Sequence, residues 1–140
     1  MWKEITEQTF LALANTRISY IGIYELFGLI DDNLLDCEGI VVCFPDRRVL
    51  IKSKAVGEDD CTFVYYEFNQ NFAGRKILSK TEEPISFIRK ESPELLRFQI
   101  GERPLLVTAD DTSIVTVGLS HWGINEEWIK YENHMLLNDN

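Results

Sequence analysis

The spacing of apolar and polar residues changes several times along this chain, and each change marks a predicted element. Trp2, Ile5, Thr9 and Leu13 recur at helical spacing with Phe10 beside them, so residues 2–14 read as an amphipathic helix. Asn15 supplies its stop, because asparagine tolerates the left-handed backbone that often ends helices. From Arg17 to Leu29 the chain is dense in Ile, Tyr and Phe, which predicts an extended strand. Asp31-Asp32-Asn33 interrupts it as a turn, since short polar side chains bond their own backbone.

Two apolar runs, Gly39–Phe44 and Val49–Val56, flank Pro45-Asp46-Arg47-Arg48, the strongest hairpin signal in the chain. After Gly57-Glu58-Asp59-Asp60 comes a third strand, Cys61–Phe68, completing a meander. The pattern over 75–98 is ambiguous. Ile85, Phe87 and Ile88 after Glu82-Glu83-Pro84 suggest a short helix. Ser92-Pro93-Glu94 has the chemistry of a helix start: a capping hydroxyl, a proline at the first helical position and an acid for the dipole. Leu105–Ala109 and Thr112–Leu119 form a second hairpin around Asp110-Asp111. Asn125-Glu126-Glu127-Trp128 opens a last helix, with Trp128, Tyr131 and Met135 at helical spacing. The expected fold is α+β: one domain over 1–140, with an antiparallel sheet of five to six strands, meander plus hairpin, and N- and C-terminal helices packed on one face.

Composition agrees with a globular class. Hydrophobic residues make up 45% and charged residues 26%, far from the profile of a disordered chain. At 16.2 kDa about two-thirds of the extended surface is expected to be buried, enough for one core. There is no run of about 18 apolar residues to span a bilayer, and Met1-Trp2-Lys3-Glu4 does not begin a secretory signal. A cytoplasmic location is expected. Cys37, Cys43 and Cys61 match neither a zinc framework nor a redox pair, and are expected to act as small buried hydrophobes.

Charge alters the picture most. Residues 1–46 carry eight acids against two bases, 47–103 nine against eleven, and 104–140 six against one, for a net charge of −9. Both ends of the chain are acidic, and termini of compact domains often lie close together. Arg47, Arg48, Lys52 and Lys54 share one hairpin, yet a sequence pI of 4.7 argues against direct nucleic-acid binding, which begins with a positive field. His121 and His134 belong to no metal or nucleophile spacing, and no cofactor motif occurs.

These observations point to a non-catalytic acidic module that captures a basic protein. Its most concrete form is an immunity protein neutralising a nuclease-type toxin, because a nuclease must be basic to hold phosphate. Asp31, Asp32, Asp110, Asp111, Glu126 and Glu127 would supply one acidic face, with Trp122 as an aromatic anchor. The alternative is a small cytosolic enzyme with a pocket near His121, lined by Glu67 or Glu25.

Overall fold

The computed structural model of the chain describes residues 2–31, 34–68, 75–78, 84–118 and 129–132. Among them are one helix, α1 (Glu7–Ala14), and eleven strands: β1 (Trp2–Ile5), β2 (Tyr20–Asp31), β3 (Leu34–Cys43), β4 (Arg48–Ala55), β5 (Cys61–Phe68), β6 (Arg75–Leu78), β7 (Ile85–Ser92), β8 (Leu95–Ile100), β9 (Arg103–Asp111), β10 (Ile114–Gly118) and β11 (Ile129–Glu132). All the ladders between strands are antiparallel, and the neighbours run β1-β5-β4-β3-β10-β9-β8-β7, with β2 on the other edge of β3. The sheet curls into a half-barrel. This corrects the expected α+β layering of five to six strands under terminal helices.

Each departure has a local cause. Residues 2–5 are strand because β1 pairs with the edge of β5 from Trp2↔Phe68 to Ile5↔Tyr65. The helix begins only at Glu7, where Thr6 caps it by accepting the Thr9 amide at 3.1 Å. Asn15 does end it, but in a right-handed conformation. Ser92-Pro93-Glu94 closes the β7–β8 hairpin rather than opening a helix, and Ile85–Ile88 lie in strand β7. The described part of the last predicted helix, 129–132, is strand paired with β6, and the rest of that prediction lies outside the described residues.

The curl is made at one corner. In β2 the core residues are Ile21 and Ile23, then Leu26; in β3 they are Leu35 and Cys37, then Ile40 and Val42. Both strands thus lose their period of two at the same level, Glu25 opposite Glu38, and Glu25 adopts a left-handed backbone, φ 56°. There β3 also exchanges partners on one edge. Its pairing with β4 stops at Gly39↔Lys52, and its pairing with β10 begins at Cys37↔Val115. Gly39 is required by close approach, since a Cβ there would lie 2.5 Å from the Ile51 carbonyl oxygen. The β2–β3 hairpin therefore belongs to one half of the curled sheet at its base and to the other at its tip.

The main core fills the concave side. Ile40, Val42, Ile51, Leu96, Phe98, Leu105, Val107, Val115 and Val117 are buried there, each such apolar side chain contributing roughly 1.5–3 kcal/mol. Helix α1 closes it between β5 and β7: Phe10 stacks on Tyr65, ring centroids 4.7 Å apart, and meets Phe87 edge-on at 5.8 Å. The Glu7 carboxylate pairs with the Lys90 ammonium across the same gap. Ile18 bridges to Ile85, tying the segment just before β2 to β7. A second cluster, Val41, Cys43, Leu50 and Phe68 with Trp2, Tyr20, Tyr24 and Tyr66 around it, lies on the other face of β3–β5. Apolar packing on both faces explains why Ile40–Phe44 is continuously apolar.

Candidate partner-binding surface

Three turns meet at one end of the molecule, and all are acidic. The β4–β5 turn, closed by the Val56 amide donating to the Asp60 carbonyl at 2.9 Å, presents Glu58, Asp59 and Asp60. The β7–β8 turn presents Glu94, and the β9–β10 turn presents Asp110 and Asp111. Two hydrogen bonds hold them side by side. The Thr62 hydroxyl donates to the Pro93 carbonyl at 3.0 Å, and the Ala109 amide donates to the Glu94 carbonyl at 2.8 Å. The β9–β10 turn is shaped by Ser113 in the left-handed region, φ 63°, and by the Asp111 carboxylate accepting the Thr112 amide at 2.7 Å.

All six of these carboxylate residues are exposed. Among the described residues no three His, Cys, Asp or Glu side chains come together to hold a metal ion, and the summed field of the six carboxylates is negative. At physiological salt that field extends about 8 Å from the surface.

Exposure sharpens the charge asymmetry. Among the described residues eleven carboxylates are exposed against four bases, Lys3, Arg17, Lys54 and Arg89. Several bases are neutralised by pairing. Lys52 pairs with Glu38 at 2.8 Å, Arg47 with Glu67 and Asp46 at 3.4 Å each, and Arg89 with Glu91 at 2.9 Å, while Arg48 is buried. The β3–β4 hairpin, with four basic residues in sequence, therefore presents Lys54 alone as an exposed base. Glu67, considered above for an enzyme pocket, is engaged by Arg47, and Glu25 is exposed at the sheet corner.

Of the residues assigned from sequence, Asp110 and Asp111 lie at this acidic end. Asp31 does not join them. It pairs with Leu34, which is level with Gly118, whereas Asp111 is level with Ile114. The two acidic hairpin ends thus lie at opposite ends of β10, about 13 Å apart at 3.3 Å per residue. Asp32, Trp122, Glu126 and Glu127 lie outside the described residues, as do both histidines. Glu58, Asp59, Asp60 and Glu94, which sequence reasoning did not assign to that face, lie beside Asp110 and Asp111. Their signal was visible as acids beside Gly57 and Pro93, but nothing local says that these turns meet.

Two of the three cysteines, Cys37 and Cys43, are buried. Burial, followed by repulsion from Asp36 and Glu38, pushes the Cys37 thiol well above its ordinary range against one backbone hydrogen bond, and its Sγ donates to the Val115 carbonyl at 3.5 Å. Cys43 is buried and Cys61 half-buried, and none of the three forms a disulfide. No helix of the described residues is long and apolar enough to cross a membrane. No protein-family model, curated protein or solved structure matches the chain.

Proposed function

We propose that this protein is a non-catalytic acidic binding module that captures a basic protein in the cytoplasm, as an immunity protein does with a nuclease-type toxin. One observation carries the reading: three turns distant in sequence are hydrogen-bonded into a single exposed acidic end, while the bases of the β3–β4 hairpin are, Lys54 apart, paired or buried. A nuclease holds phosphate with a positive surface, and a carboxylate cluster on a rigid sheet end competes for the same surface. Opposite fields accelerate such capture to about 10⁸–10⁹ M⁻¹s⁻¹ at low salt. An interface of about 800 Å² per partner is within reach of a protein this size.

The test is interferometry against small basic nucleases, among them any basic protein encoded beside this gene, at 50 and 300 mM salt. One of them should bind below micromolar Kd, with association slowed by salt. Asp59→Lys, Asp60→Lys, Asp110→Lys and Asp111→Lys together should slow association at least tenfold and change dissociation far less. The reading fails if no basic protein binds, or if a bound one is indifferent to these substitutions.

A further inference from the structure

The tip half of the β2–β3 hairpin carries the largest exposed apolar group in the described structure. Phe27, Leu29 and Ile30 are each more than half exposed, at 57%, 56% and 55%. The other large exposed apolar side chains, Val56 and Ile88, stand singly, so three together on one strand call for a partner. Two irregularities put them there. The register of β2 on β3 skips at Phe27 and again at Ile30, so two residues are bulged out of the ladder. The outer edge of β2 is paired by β6 only at Gly22 and Ile23 among the described residues.

Charge selects the occupant. Between Arg17 and Arg47 the chain has six acids and no lysine or arginine, and among the described side chains Glu25 and Asp36 lie beside the apolar stretch within this arm. A second copy is a poor fit. Antiparallel self-pairing about Gly28 would set Glu25 against Asp31, like charges face to face, and bulges disrupt the straight ladder that strand addition needs. We infer that this arm docks an apolar segment flanked by basic residues, through Phe27, Leu29 and Ile30 with the surrounding carboxylates as a rim. The inference rests on the reading of the protein as a binder of basic proteins, and supplies a larger apolar anchor than the single exposed Val56 at the acidic end. A standard interface is roughly 30 Å across, wide enough for one partner to span the length of β10 between the two.

The experiment uses three labelled peptides: alternating leucine and threonine with two lysines at each end, the same core with glutamates at each end, and a serine-glycine core with the lysines. Fluorescence anisotropy with the full chain should show the first binding at least tenfold more tightly than either other. A variant carrying Phe27→Ser, Leu29→Ser and Ile30→Ser should lose that binding while melting within a few degrees of the wild type. Asp110→Lys with Asp111→Lys should retain it. Equal binding of all three peptides, absence of binding, or binding that survives the serine variant overturns the inference. So does a wild-type dimer in sedimentation that the serine variant dissolves, which would make the occupant a second copy. The nuclease titration with the acidic-end variants tests the proposed function separately, so failure of one does not decide the other.

Discussion

Replacing Tyr65 by phenylalanine should make the protein more stable. The ring is 1% exposed and stacked on Phe10, while its hydroxyl has no hydrogen-bond partner among the described residues. A buried polar group left unsatisfied costs about 1–3 kcal/mol, so Tyr65→Phe, which keeps the ring, should gain about 1 kcal/mol near neutral pH. Alkaline pH provides a second and independent readout. In the unfolded chain the phenol ionises at an ordinary value of about 10. In the folded chain burial, and then the Glu7 carboxylate, pushes the pKa upward. The wild type therefore keeps this contribution fully below about pH 9 and loses it as pH rises beyond 10. The loss should reach about 1 kcal/mol at pH 11. The variant has no phenol to ionise, so its advantage should widen from about 1 to about 2 kcal/mol between pH 8 and pH 11. Urea denaturation of both proteins at pH 8, 9.5 and 11, followed by circular dichroism, measures the gap and cancels the other titrating groups. A variant less stable at pH 8 would mean that the hydroxyl is satisfied in the folded state. A gap that stays constant with pH would mean that the ring is not desolvated.

Three further outcomes test the packing. Phe10→Ala, which empties the space between β5 and β7, should cost about 3–5 kcal/mol and lower the melting temperature by roughly 10 °C; Phe10→Leu should cost less than half of that. Gly39→Ala should destabilise by about 1–3 kcal/mol because its Cβ meets a backbone oxygen that cannot step aside. Gly28→Ala, with no atom within 4 Å of the added carbon, is the matched control and should stay within about 0.5 kcal/mol in a urea melt. Native alkylation with iodoacetamide at pH 8, read by peptide mass, should modify Cys61 alone, with Cys37 and Cys43 reacting only in urea.

What the sequence made legible was set by turn chemistry. Pro45-Asp46 between two apolar runs located β3 and β4, and Cys61–Phe68 coincides with β5. The failures share a different cause. Trp2, Ile5, Thr9 and Leu13 satisfy a helical stripe, but the first two are claimed by the edge of β5, a partner sixty or more residues away. Ser92-Pro93-Glu94 has a helix-start composition that a tight turn uses equally well, and only the β7–β8 ladder, closing at Ser92↔Leu95, decides between them. The same limit governs the site. Asp110 and Asp111 stand out in the sequence because paired acids mark a turn, but their neighbours in space are fixed by the Thr62–Pro93 and Ala109–Glu94 hydrogen bonds. Local chemistry names the turns; cross-strand register chooses which of them meet.

The exchange of partners along β3 also has a consequence in time. Residues 20–68 form successive hairpins between neighbours in sequence, contacts that cost little loop entropy and form early. The tip half of β3 must wait for β10, whose Val115 accepts from Cys37 across 78 residues. Until that strand is synthesised and docks, Leu35 and Cys37 lie on an open edge of β3. Folding of this protein should therefore be limited by the arrival of residues 114–118, and a chain cut short before them should aggregate through the waiting edge.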